Sequence, residues 1–194
     1  MNLANQLYDA DCIQFGTFTL KSGLESPVYV DLRLLASHPA ILRDVAREMA
    51  ASASELTFDR IAAIPLAGLP IGTALALEMD RPMIYPRPQV KTHGRKRAIE
   101  GAFSPGEAVL VVDDLITRGT SKIEAIEPLK EAGLVVRDVL VLIDREQGGT
   151  EDLAQQGYRL HAVLKFTDIL NTLKESGRIT AEQYTEVTSY LSNA

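Results

Sequence analysis

The chain has 194 residues, 46% hydrophobic and 24% charged, which suits one well-packed domain with at most a small appended lobe and is too short for two ordinary domains. A net charge of −6 argues against nucleic-acid or acidic-membrane binding, and no apolar run approaches the roughly 20 residues of a membrane span. Cys12 is the only cysteine, which excludes an intrachain disulfide, and the stretch from Met1 to Asp11 has neither a basic region nor an apolar core, so a cytoplasmic, reducing location is expected.

The first forty residues predict a short helix and then β-like pieces at Phe18-Thr19-Leu20 and Val28-Tyr29-Val30 around a turn at Ser22-Gly23. They read as a small separate lobe over the ligand edge of a sheet. Ile41, Leu42, Val45, Ala46, Met49, Ala50 and Ala53 then recur at helical spacing, with Ser37 and Pro39 as cap and first turn. Arg60 to Ile64 predicts a strand, Pro65 to Pro70 a turn, Ile71 to Met79 a helix and Pro82 to Tyr85 another strand. After Ser104-Pro105-Gly106, the apolar run Val109 to Val112 suits a parallel strand buried on both faces. A helix over 121–132 is closed by Gly133, and a strand follows over 134–143. A short helix over 151–156 is ended by Gly157, and a strand follows over 158–164. Thr180 with Gln183 makes a capping box for a terminal helix. Strand and helix alternate from residue 60 onward, which predicts an α/β fold with a doubly wound, mostly parallel sheet. With no repeat and no linker, the economical division is a single domain: hood elements over about 1–36, an α/β core over about 37–170 and C-terminal helices over 171–194.

Residues 109 to 121, Val-Leu-Val-Val-Asp-Asp-Leu-Ile-Thr-Arg-Gly-Thr-Ser, carry the chemistry. Asp113 and Asp114 fall at the carboxyl end of the strand, where open α/β sheets bind ligands, and the following helix offers unpaired N–H groups to an anion. Gly119 permits close backbone approach, and Thr117, Thr120 and Ser121 supply hydroxyl donors. Two carboxylates repel a bare phosphate, so sugar hydroxyls or a metal ion should lie between them, a demand that a ribose 5-phosphate meets. The plainer alternative is a surface Asp114 with Thr120 or Ser121 as an ordinary helix cap. The run is neither a Walker loop nor a dinucleotide fingerprint, lacking Gly-Lys-Ser/Thr and Gly-x-Gly-x-x-Gly.

Arg87, Lys91, Arg95, Lys96 and Arg97, with His93, crowd a stretch that holds no acid before Glu100 and that Pro86, Pro88 and Gly94 mark as a loop. Alone it reads as solvated surface. Beside a phosphate site it suits closure over a polyanionic leaving group. Pro65-Leu66-Ala67-Gly68-Leu69-Pro70 ends another strand at the same edge, either as a plain turn or as a backbone cradle for a pyrophosphate.

The run 109–121 closely resembles the phosphoribosyl pyrophosphate (PRPP) motif of type I phosphoribosyltransferases, whose paired acids hold ribose hydroxyls and whose loop holds the 5-phosphate. Phe18-Thr19-Leu20-Lys21-Ser22-Gly23, then Ser26-Pro27-Val28-Tyr29-Val30-Asp31, and later Asp144-Arg145-Glu146-Gln147-Gly148-Gly149, resemble signatures of the orotate phosphoribosyltransferases. The resemblance runs from about residue 13 to about residue 166 and is nearest to the orotate-transferring domain of bifunctional uridine monophosphate synthases. The decarboxylase barrel of those enzymes, roughly 250 residues, has no room here.

The resemblance implies the type I phosphoribosyltransferase fold and Mg²⁺-dependent transfer from PRPP to orotate, giving orotidine 5′-monophosphate and pyrophosphate. It implies catalytic roles for Lys91, His93, Asp113 and Asp114. PRPP would be bound by Arg87, Lys91, Asp113, Asp114, Thr117, Arg118, Gly119, Thr120 and Ser121 with the turn Leu66, Ala67 and Gly68. Orotate would be bound by Lys21, Tyr29, Val30, Thr117 and Arg145, the planar guanidinium of Arg145 suiting a carboxylate. Mg²⁺ would be held mainly by PRPP, with Asp113 and Asp114 as candidate indirect ligands. It also implies a homodimer whose mobile loop reaches the neighbouring site. The chain departs from the family pattern at Pro88, which replaces a loop lysine, at Leu66 and Ala67, where many relatives carry Tyr and Lys, and at Arg118, where a small residue or Thr is usual. Two alternatives stay open: a phosphoribosyltransferase for another base, or a non-catalytic PRPP- or nucleotide-binding regulator.

Overall fold

The computed structural model describes residues 2–19, 23, 25–87 and 98–192. Helix α1 (Leu3–Asp9) starts at Asn2, whose side-chain oxygen accepts the Ala4 amide at 2.9 Å. Strands β1 (Ile13–Thr19) and β2 (Glu25–Val30) form an antiparallel ribbon, and a 3-10 turn (Leu32–Ser37) leads to α2 (Pro39–Ala53). Ser37 does not cap α2: it closes the 3-10 turn, and His38 takes the cap position without a side-chain bond. Pro39, with its fixed φ and no N–H to satisfy, marks the helix start instead.

The second half alternates as expected: β3 (Arg60–Ala63), α3 (Gly68–Met79), β4 (Met83–Pro86), β5 (Ile99–Glu100), β6 (Ala108–Ile116), α4 (Thr120–Glu131), β7 (Val135–Asp144), α5 (Gly149–Gln155), β8 (Arg159–Lys165), α6 (Phe166–Glu175) and α7 (Ala181–Ser192). Helix α3 begins at Gly68, earlier than the proline-rich turn suggested, because Pro70 falls in its first turn, where a missing N–H costs nothing. Strand β6 runs on through both aspartates to Ile116, because β7 continues beside it, with Asp113 opposite Val141 and Ile116 opposite Asp144. Helix α6 starts at Phe166, within the span expected for the core, directly where β8 stops. The Thr180–Gln183 capping box forms, with reciprocal bonds of 2.9 and 3.2 Å.

The six-stranded sheet has the order β5-β4-β3-β6-β7-β8 and is parallel except for β5, a two-residue edge strand antiparallel to β4 that the sequence pattern did not predict. Alternate residues of its central strands feed two cores. Leu110, Val112, Leu140 and Leu142 pack with α2, α3 and α6, while Val109, Val111, Val139 and Val141 pack with α4 and α5. Burial on both faces explains why these strands read as unbroken apolar runs. The hood is separate from the main sheet in its strand pairing only. Ile13 and Val28 of the ribbon and Leu3 and Leu7 of α1 join the same core as Phe166, Ile169 and Leu170. Arg178 also binds Asp9, with bonds of 3.0 and 2.8 Å, and Ser176 binds Asn5 at 2.9 Å.

From β3 the chain moves outward one way to β4 and β5, then returns to place β6 on the other side of β3. This reversal opens a crevice at the carboxyl ends of β3 and β6, the usual ligand position of such sheets.

Candidate active site at the sheet switch point

Two turns border the crevice. The turn leaving β3 contains a cis Pro65–Leu66 peptide, an exposed Leu66 and Ala67, and enters α3 with no side-chain cap. Gly68 has to be glycine: a Cβ there would lie 2.9 Å from Asp113 Oδ1 and 3.1 Å from the Val112 carbonyl. That contact joins the turn to the acidic pair.

Asp113 is buried. Its Oδ1 accepts the Asp114 amide at 2.9 Å, and its Oδ2 pairs with Lys122 Nζ. Burial pushes its carboxyl up to about 7, with the Asp114 charge adding to the rise and Lys122 opposing it. Asp114 is half-buried and uses one oxygen, Oδ1, to accept the Leu115 amide at 2.8 Å.

The loop 117–119 then enters α4 through Gly119 with no side-chain cap. Neither Thr120 nor Ser121 acts as an N-cap, so the plainer reading of those hydroxyls fails. Among the described residues no acceptor meets the Thr120 and Ser121 amides, which leaves them to an anion at the positive end of the helix. The close approach at Gly119 is to α5: its amide donates to Asp152 Oδ2 at 3.0 Å, and a Cβ would meet Asp152 Cβ at 2.6 Å. Arg118 is exposed and lies against Gly148, where an added Cβ would come within 2.4 Å of Arg118 Nη1. It thereby bridges the loop after β6 and the loop after β7.

The loop after β7 brings in Arg145, whose amide donates to the Ile116 carbonyl at 2.9 Å. Its guanidinium lies 5.6 Å from the Phe166 ring centre, and burial pulls its pKa down. Arg145 Nε is buried without a partner, as is Gln147 Oε1. Both belong to the loop that leaves β7 at the same sheet edge, and unpaired buried polar atoms are uncommon in a finished fold. A cavity of about 610 Å³, lined in part by Asp144, Gly148, Thr150 and Lys165, adjoins the same loop.

Other expected residues are placed differently. Arg87 follows β4 but is ion-paired with Glu100 of β5, so it is not a free cation. Tyr29 and Val30 lie on the hood ribbon; Tyr29 stacks on Phe18 at 5.5 Å and accepts a bond from Arg33 at 3.2 Å, while Val30 packs against the core. Lys21, Lys91 and His93 lie outside the described residues. Lys122 was not foreseen, although its spacing from Ile126 and Leu129 puts it on the inward row of α4, where a lysine is out of place.

With open amides at the start of α4, an Asp114 oxygen to spare at the same sheet edge and this sheet order, the chain has the architecture of a type I phosphoribosyltransferase. No protein-family model matches the chain. It is 47% identical over 188 residues to the bifunctional enzyme PyrF/PyrE of Nostoc sp., which covers 97% of this chain and 39% of that protein. It is 38% identical over 182 residues to the orotate phosphoribosyltransferase of Pyrococcus furiosus, covering 93% of this chain and 98% of that one. The solved structure of Leishmania donovani UMP synthase superposes with a TM-score of 0.92 at 44% identity, over 99% of this chain and 42% of the other. The chain thus spans about two fifths of the length of the first and third of these relatives and nearly all of the second. It belongs to the orotate phosphoribosyltransferase family.

Proposed function

We propose that this chain transfers the 5-phosphoribosyl group of PRPP to a ring nitrogen of orotate, in the presence of Mg²⁺, releasing pyrophosphate and forming orotidine 5′-monophosphate. The observation that carries this reading is the pairing of open α4 amides and a half-exposed Asp114 with the unpartnered Arg145 Nε, across loops that Arg118 bridges. One side suits a phosphorylated sugar and the other a planar carboxylate.

The bond from the sugar C1 to the pyrophosphate oxygen breaks, its electron pair leaves with the pyrophosphate, and the orotate nitrogen closes a new bond to C1 while its proton passes to the pyrophosphate or to water. Asp114 holds ribose hydroxyls and favours the positive charge that develops on the ring, while the Thr120 and Ser121 amides fix the 5-phosphate. Lys91 and the neighbouring basic residues neutralise the departing anion, with His93 as a candidate proton donor. Arg145 orients orotate through its carboxylate, and Lys21, Tyr29 and Val30 cover the base.

The residues present suit a cation carried in by the substrate. Among the described residues no cluster of three or more His, Cys, Asp or Glu side chains could cage a metal, whereas Asp114 has an uncommitted oxygen. When bound, Mg²⁺ supplies charge neutralisation at the diphosphate.

The homodimer expected of the family has support in α3. Leu77 on this helix is 81% exposed, an apolar side chain that a second copy would cover. Leu77→Asp is expected to lower the solution mass from dimer to monomer. A cytoplasmic setting accords with Cys12, whose thiol burial pushes up to about 11, keeping it protonated and unreactive. Among the described residues no helix is long and apolar enough to cross a membrane.

The test is pyrophosphate release and orotate loss with purified protein, PRPP and Mg²⁺, with uracil and purine bases as competing acceptors. Stoichiometric loss of orotate is expected. Turnover of another base alone would reassign the acceptor, and tight PRPP binding with no turnover on any base would make the chain a binding regulator.

A further inference from the structure

Among the described residues Lys122 is the one cation buried this deeply, at 6% exposure, and none of the expected roles covers it. It occupies the inward row of α4 with Ile126 and Leu129, where a side chain of that exposure is ordinarily apolar. Its ammonium meets Asp113 Oδ2, while Asp113 Oδ1 takes the Asp114 amide and faces the backbone of Gly68. Three elements therefore converge on one carboxylate: β6, which carries it, the start of α3 and the first turn of α4. Asp114, by contrast, keeps one oxygen without a partner among the described residues.

We infer that Lys122 is a positioning residue for PRPP. By holding Asp113 it fixes the first turn of α4, and so the 117–121 loop, against β6. It also offsets one of two adjacent negative charges, so that a phosphate can sit beside the acidic pair and Asp114 alone meets the sugar. A buried carboxylate is tolerated when paired and costly when its partner is removed, so an apolar residue at 122 would disturb both the charge balance and the loop. The inference rests on the PRPP-transfer reading.

Four proteins test it: wild type, Lys122→Met, Asp113→Asn and the double variant. PRPP binding is measured by calorimetry, and KM for each substrate in the orotate assay. Lys122→Met is expected to weaken PRPP binding by about tenfold or more, with the orotate KM at saturating PRPP within about twofold of wild type. Because Lys122 acts through Asp113, the same replacement in the Asp113→Asn background is expected to add less than about twofold. PRPP binding by Lys122→Met within twofold of wild type, or equal losses in both backgrounds, overturns the inference. Should Lys122→Met not fold, Asp113→Asn and the double variant decide: unchanged PRPP affinity between them supports the inference, and a further loss above about threefold overturns it. Wild-type binding and turnover separate failure of the transfer reading from failure of this one.

Discussion

The two ends of the central sheet are built from the same residue types and treat them in opposite ways. At the amino end, Arg60 grips Glu107 with bonds of 2.5 and 2.7 Å, Asp138 is held by Arg159 at 2.9 Å and His161 at 2.8 Å, and Asp59 takes the Ala108 amide at 2.8 Å. At the carboxyl end, Arg145 Nε and Gln147 Oε1 lack partners, two α4 amides meet no described acceptor, and Asp114 has an oxygen to spare. Groups that could have been satisfied within the chain are left for a ligand, so the carboxyl end gives up stability for binding while the amino end holds the strands in register.

Four substitutions or conditions probe that contrast, the largest effect first. Lys91→Ala is expected to cut kcat by roughly 10²–10³-fold with little change in melting temperature, the range for removing one preorganised charge from a developing anion. Equal turnover would remove the basic loop from the mechanism. Arg145→Gln is expected to raise the orotate KM by about tenfold or more, as loss of a hydrogen bond to a charged group does, while the melting temperature holds or rises because a desolvated cation is gone. A fall in stability without a KM change would make Arg145 structural, like the residues at the other end.

Asp138→Ala should show the reverse pattern, losing about 1–3 kcal/mol in denaturant unfolding as its partners are stranded, with kcat and both KM values within about twofold of wild type. The smallest effect concerns pH. The Arg60 guanidinium and the Ser104 amide hold the Glu107 carboxyl down, at about 2 against an ordinary 4.5. Its folded pKa is below the unfolded one, so its contribution is complete above about 4.5 and is lost as pH falls toward 2. Glu107→Gln is expected to flatten the acid limb of a plot of melting temperature against pH in that window. Asp113 has the opposite sign: burial raises its carboxyl from 3.8 to about 7, so its contribution declines as pH rises across that range.

Local chemistry wrote much of this into the sequence. The apolar runs at 109–112 and 134–143, the glycine at 133 and the Thr180–Gln183 box each act within a few residues, and each formed where its pattern placed it. What was not legible depends on neighbours remote in the chain. Strand β6 extends past Val112 because β7 lies beside it, β5 exists because Tyr85 and Glu100 meet, and Ser37 loses its cap role to a 3-10 turn. At the site, the acidic pair and Arg145 stood out as unusual residue types in turns. Lys122 did not, because a lysine inside a helix pattern is ordinary until its row is known to face inward. The pairing of Arg87 with Glu100 likewise needed the two-residue edge strand, which no periodicity announces.

The docking of α1 against α6 has a consequence in time. Asp9 and Arg178 are 169 residues apart along the chain, and Asn5 and Ser176 are 171 apart, yet each pair is in direct contact. Leu3 and Leu7 share a core with Ile13 and Val45 but also with Ile169 and Leu170, so during synthesis α1 lacks its full set of partners until α6 emerges. Closing so long a loop is entropically slow, and the hood is therefore expected to be among the last parts of this domain to lock.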